Sequence, residues 1–224
     1  MRLGLLASGR GSNADAILTA IAEGRLEAEA VLLICDREAG AIDVAQRHGL
    51  PTRVMPRRDY PDRVTQQTAM RDALLEAGAD FIALAGFAAI LEPVMVDAFA
   101  GRILNIHPSL LPSFPGLHAQ KQAFDYGVKW SGATVHFVDE GVDTGAILAQ
   151  RAVPIGPEDT AGELLETLAG QGADLLIHTL RDLQNGLVKP ETQSEEGAVY
   201  APKLTRTLSA VRWDRDVVTV HNQI

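Results

Sequence analysis

A chain of 224 residues, 46% hydrophobic and 22% charged, is long enough to bury one full core and to carry a modest extension. Its net charge of −9 supplies no basic footprint for displacing phosphate counterions, which argues against nucleic acid as a partner, and no apolar run approaches the length of a membrane span. The apolar stretch before Arg10 is too short for a secretory leader, so a cytoplasmic protein is expected.

Short apolar runs alternate with longer helical stretches, the pattern of a mainly parallel open α/β sheet with helices on both faces. Strands are predicted at Leu3 to Ala7, Ala30 to Ile34, Thr52 to Met55, Phe81 to Ala85 and Arg102 to Ile106. Helices are predicted between them at Ser12 to Ala22, Gly40 to His48, Pro61 to Ala77 and Glu92 to Phe99, the first capped by Ser12 or Asn13. The lone cysteine, Cys35, ends an apolar strand and reads as an inert small hydrophobe. After Gly116 the rhythm changes: a helix at Ala119 to Tyr126 precedes two strands, Gly132 to Val138 and Ala146 to Val153, joined by an acidic, glycine-bearing turn. Leucines near helical spacing make Thr160 to Leu183 one helix, with Gly170 and Gly172 as its weak points. Residues 1–184 form one domain in this reading, and 185–224 a C-terminal tail packed on it, with a short strand at Val217 to Val220.

Three segments carry residues suited to chemistry. In Ile103 to Gly116, Asn105 and His107 are two apart on a strand and so share a face, where an amide and an imidazole together suit polarisation of a carbonyl oxygen; a strand-end histidine bonded to backbone is the alternative. The loop Ala7 to Asn13 leaves a strand and opens a helix, where glycines and free amides attract a phosphate; a tight turn with a serine cap is the alternative. In the acidic turn, Asp143 leads straight into a strand, so its carboxylate is expected at the same sheet edge as His107, where it would favour the protonated imidazole; turn hydrogen bonding is the alternative. The small apolar loop after Gly86 suits a slot for a flat ring. His107, His118 and His136 lack metal-ligand spacing, so no metal is expected; His118 is placed against loop or substrate and His136 as a satisfied strand residue.

Five blocks in register, Ser8 to Asn13, Leu84 to Phe87, Asn105 to Pro112, Pro115 to Gln120 and Gly132 to Val138, resemble the phosphoribosylglycinamide formyltransferases, folate-dependent transformylases of purine synthesis, over roughly residues 1–160. The resemblance implies a formyltransferase-type fold with a Rossmann-like N-terminal half that binds the phosphate of glycinamide ribonucleotide, and a C-terminal half that holds the co-substrate 10-formyltetrahydrofolate. Carried over by position, Gly11, Ser12 and Asn13 would bind phosphate. Arg63 and the backbone of Ala88, Ala89, Ile90 and Leu91, together with Asn105, would bind the folate. Asn105, His107 and Asp143 fall on the catalytic trio. Two departures stand out: Ala89 where an arginine is common, and Ala169-Gly170-Gln171-Gly172 where a glutamate followed by histidine is usual in the long helix. Asp159 to Leu165 and Gly197 to Thr205 look more like methionyl-tRNA and sugar-amine formyltransferases, relatives using the same donor, although the acidic chain is short for an added tRNA-binding domain. The expected activity is formyl transfer to the amine of glycinamide ribonucleotide through an oxyanion held by Asn105 and protonated His107. A sugar nucleotide amine as acceptor and a noncatalytic ligand-binding α/β domain are the alternatives.

Overall fold

Alternation along the apolar runs decides the architecture. In β1 (Arg2–Ala7), Leu3, Leu5 and Ala7 enter one apolar cluster and Leu6 enters another, so the strand is buried on both faces and needs helices on each. The computed structural model, which describes residues 1–194, 198–199 and 210–223, has that form. β1, β2 (Glu29–Cys35), β3 (Thr52–Val54), β4 (Phe81–Leu84) and β5 (Ile103–His107) pair in parallel. β6 (Trp130–Phe137) pairs antiparallel with β5, and β7 (Ile147–Pro154) antiparallel with β6, giving the order β3-β2-β1-β4-β5-β6-β7. α1 (Ser12–Ala22) and α2 (Ala41–Arg47) cover one face, through Ile17 and Val44. α3 (Arg63–Glu76) and α4 (Pro93–Ala98) cover the other, through Met70, Leu74, Met95 and Val96. α5 (Ala119–Tyr126) follows β5, and α6 (Ala161–Gln184) returns to the first face with Leu176 and Leu180. Among the described residues no helix is long and apolar enough to cross a membrane.

Two local expectations change, the α1 cap and the C-terminal strand, while the long helix stands as expected. Neither Ser12 nor Asn13 caps α1: the cap position is Gly11, left-handed at φ 86°, with no side-chain cap bond. A Cβ at Gly11 would lie 2.6 Å from the Ala41 Cα, so both the backbone angle and the packing against α2 demand glycine. α6 runs unbroken through its glycines. A capping box between Thr160 and Glu163 starts it, and Gly172 lets it settle on β5, since a Cβ there would meet Ile106 Cγ2 at 2.9 Å. The strand expected at Val217 to Val220 is instead α7 (Val217–Gln223), nucleated by Asp216, whose carboxylate accepts from the Thr219 amide and hydroxyl. Its β-branched run favoured an extended reading, but the local cap wins. Beyond α6, Glu191 forms a two-bond antiparallel bridge with Ile147 at the start of β7. Of the tail segment Gly197 to Thr205, only Ala198 and Val199 fall within the described residues. Cys35 is fully buried, and burial pushes its thiol up to about 11, consistent with an inert side chain.

Candidate active site

The sheet register brings the site together. Asn105 of β5 sits directly opposite His136 of β6, so Asn105, His107 and His136 share the face that carries α3 and α4. Because β6 runs antiparallel, Phe137 pairs with Leu104, and the acidic turn leaves the sheet at the end away from His107. The Asp143 carboxylate is expected from sequence at the same sheet edge as His107; it reaches His107 instead from a turn that folds back over the face and holds Asp143 at φ 56°.

There the Asp143 carboxylate becomes a hub. Its Oδ2 accepts from the Gly116 amide at 2.8 Å and lies 3.3 Å from His107 Nδ1. Its Oδ1 lies 3.4 Å from both Asn105 Nδ2 and His136 Nε2. Asn105 Nδ2 is also 3.3 Å from His136 Nε2. His136 Nδ1 faces the Phe137 carbonyl at 2.7 Å, so that nitrogen carries a proton and fixes the ring. His107 Nε2 likewise faces the Phe114 carbonyl at 2.8 Å and must donate to it. Both nitrogens of His107 are thus engaged. Its proton reaches an incoming oxyanion only by exchanging a partner, whereas the long contacts of Asn105 leave its amide ready to turn.

Electrostatics modify the expected protonation. Burial lowers the His107 pKa, against the opposing pull of the Asp143 charge and the Phe114 carbonyl, and the lowering prevails. For Asp143, burial works to raise the pKa, but the hydrogen bond from His136, the His107 charge and the Gly116 amide outweigh it and hold the carboxyl below its ordinary value. Asp143 is thus ionised at neutral pH, and because Nε2 is committed to Phe114, His107 Nδ1 donates to that carboxylate when the ring is doubly protonated. The two lowered values have the same sign in stability: each group is protonated more readily unfolded, so stability is lost as pH falls below about 6.5 for His107 and below about 3.9 for Asp143. The stability advantage of wild type over His107→Gln should accordingly shrink between about pH 7 and about pH 5. Denaturant unfolding of both proteins checks this, and a constant difference contradicts it.

The other candidates fall on two further segments. Ser12 and Asn13 open α1 and, with Glu166, Thr167, Gly170 and Gln171 of α6, line a cleft of about 530 Å³. Only β4 separates β1 from β5, so the phosphate loop and the trio emerge two strand spacings apart, about 10 Å. Ser8 ties this loop to the next: its hydroxyl accepts from the Ala88 amide at 3.0 Å. Gln67, 1% exposed, grips the same loop from α3, donating to the Ile90 carbonyl and accepting from the Glu92 amide. The Ala88 amide and the Ile90 carbonyl are therefore engaged within the chain, Leu91 sends its side chain into the core, and Ala89 offers a methyl. Arg63 heads α3, 3.6 Å from Glu92 Oε1. His118 is exposed at the start of α5.

A family model described as formyl transferase matches residues 1–180. The chain belongs to the formyl transferase family. The phosphoribosylglycinamide formyltransferase of Bacillus subtilis is 42% identical over 168 residues, covering 75% of this formyl transferase and 84% of its own length. A trifunctional purine biosynthetic protein, adenosine-3, of Drosophila pseudoobscura pseudoobscura is 46% identical over 171 residues, 75% of this chain, which spans only 12% of that longer protein. Glycinamide ribonucleotide transformylase 1 from Symbiobacterium toebii, a crystal structure, superposes with a TM-score of 0.83 at 38% identity, covering 87% of this formyl transferase and 94% of that chain. His136, read from sequence as a satisfied strand residue, joins the trio because only the antiparallel register places it opposite Asn105.

Proposed function

We propose that the chain transfers the formyl group of 10-formyltetrahydrofolate to the amine of glycinamide ribonucleotide, as a step of purine synthesis. The observation that carries the reading is the convergence of Asn105, His107 and His136 on one ionised carboxylate, Asp143, in a chain of the formyl transferase family. In this reading Gly11, Ser12 and Asn13 receive the acceptor's phosphate at the free amides of α1. The loop from Ala88 to Leu91, with Arg63, flanks the folate. Residues 1–184 carry both sites.

The amine lone pair attacks the formyl carbon, and the carbonyl pair moves onto oxygen. Asn105 turns its amide to that oxygen, and the His107 dipole, or its charge once protonated, stabilises it. Asp143 accepts the proton shed by the attacking nitrogen, directly or through water, and it returns to the folate nitrogen as the carbon–nitrogen bond to the donor breaks. Tetrahydrofolate and the N-formyl acceptor leave. A carboxyl held below its ordinary pKa stays ionised and so offsets a neighbouring imidazolium.

Gly170 and Gln171 line the acceptor cleft where the resemblance leads one to expect glutamate followed by histidine, and the carboxylate that α6 brings there from the preceding turn is Glu166. The test therefore offers the enzyme 10-formyltetrahydrofolate with glycinamide ribonucleotide, with amino-sugar nucleotides and with buffer alone, following tetrahydrofolate release. Preference for glycinamide ribonucleotide by kcat/KM is the expected result. Preference for a sugar nucleotide, or release in buffer alone at the same rate, would overturn the acceptor.

A further inference from the structure

The segment after α6 reaches back to both loops that frame the trio. The side-chain amide of Gln193 donates its two hydrogens to two carbonyls, those of Asp143 and Gly145, each at 2.7 Å. Six residues on, the carbonyl of Val199 accepts from the Phe114 amide at 2.7 Å, and the Val199 side chain packs with buried Phe114, Ala119 and Ala123. These are not arbitrary anchor points. Asp143 and Phe114 are two of the three non-glycine residues with positive φ among the described residues, at 56° and 55°. Such backbone persists only where the surroundings over-determine it. Both also feed the trio directly, Asp143 through its carboxylate and Phe114 through the carbonyl that holds His107. The Glu191 bridge to Ile147 fixes the chain alongside β7 just before Gln193.

We infer that Gln193 is a positioning residue for formyl transfer, its amide holding the backbone of the Asp143 turn so that the carboxylate meets Asn105, His107 and His136. The inference rests on the formyl-transfer reading for its activity readout and on geometry alone for its spectroscopic one. An NH2 group matches the task, because two hydrogens serve two converging carbonyls. A carboxylate of the same shape has none to give, and its charge repels both oxygens. Loss of the clamp lets the carboxylate drift, and a displacement of about 1 Å at a reacting group is worth about 100-fold in rate.

The experiment compares Gln193→Glu, Gln193→Met and Gln193→Lys in the full chain. Glutamate keeps the shape, methionine roughly keeps the volume without a donor, and lysine restores a donor. The expected result is a kcat about 100-fold lower for glutamate and methionine, with acceptor KM within about threefold, and partial recovery for lysine. Without any substrate, the ring nitrogen signals of His107 and His136 in 15N NMR should shift in the glutamate and methionine variants and move back toward wild type in the lysine variant. If wild type forms no formyl product yet these signals follow the substitutions, the clamp stands and the activity reading falls. Unchanged ring signals with near wild-type kcat overturn the inference. So does an equal loss in all three variants that tracks a falling Tm, which marks Gln193 as a fold residue only.

Discussion

Asp143→Asn is expected to lower turnover by about 10²- to 10⁴-fold, the range for removing a proton-transfer group, with little change in thermal stability. The substitution is close to isosteric. The asparagine oxygen still accepts from the Gly116 amide, and its nitrogen falls on the side of Asn105 Nδ2 and His136 Nε2. What disappears is the charge. The carboxylate pulls the His107 pKa upward against burial, beside the Phe114 carbonyl, so without it the imidazole pKa falls further and the proposed acceptor of the amine proton is gone. NMR titration of His107 in the two proteins, alongside kcat, checks both statements. A large stability loss with turnover retained would reduce Asp143 to a turn residue, and an unshifted imidazole would remove its electrostatic role.

The second large effect is on the oxyanion side. Asn105→Ala and His107→Ala should each lower kcat by about 100- to 1,000-fold, and the double variant should fall short of the product because both serve one developing charge. Their stabilities should differ. Asn105 is held only by contacts of 3.3 and 3.4 Å, so its loss costs little. His107 is 3% exposed, and deleting it strands the Phe114 carbonyl, a cost of about 1–3 kcal/mol. Kinetics of the two single variants and the double variant, with unfolding curves, separate the contributions. Fully multiplied kinetic losses would mean that the two residues act in different steps.

These expectations trace back unevenly to the sequence. The five parallel strands and their helices were legible because each apolar run reports its own burial, and α1 and α5 end where the periodicity ends. Asn105 and His107 were legible for the same local reason, a period of two on one strand. Asp143 was legible as a residue but not in its approach, which depends on β6 running antiparallel and its turn folding over the sheet face. His136 was legible as a satisfied strand residue but not as a neighbour of Asn105 and Asp143, because nothing within Gly132 to Val138 says which residue of another strand it faces. Gln67 and Gln193 were missed for a related reason. A single glutamine carries no pattern, and its value lies in carbonyls 23 and 48 to 50 residues away. The positive φ at Gly11 was partly visible as a glycine in a strand-to-helix loop, yet the serine and asparagine beside it drew the cap assignment away from it. Non-local pairing and side chain to backbone clamps are what the linear pattern withholds.

The most direct test of the account follows the atom that moves. With 10-formyltetrahydrofolate carrying 13C in the formyl group and glycinamide ribonucleotide carrying 15N in its amine, the account predicts a product in which the two labels are coupled by one bond in the 13C spectrum. That signal should form with the wild-type chain and become strongly slowed with Asp143→Asn. Labelled formate appearing in place of the coupled product, or a coupled product formed equally fast without the Asp143 charge, would contradict it.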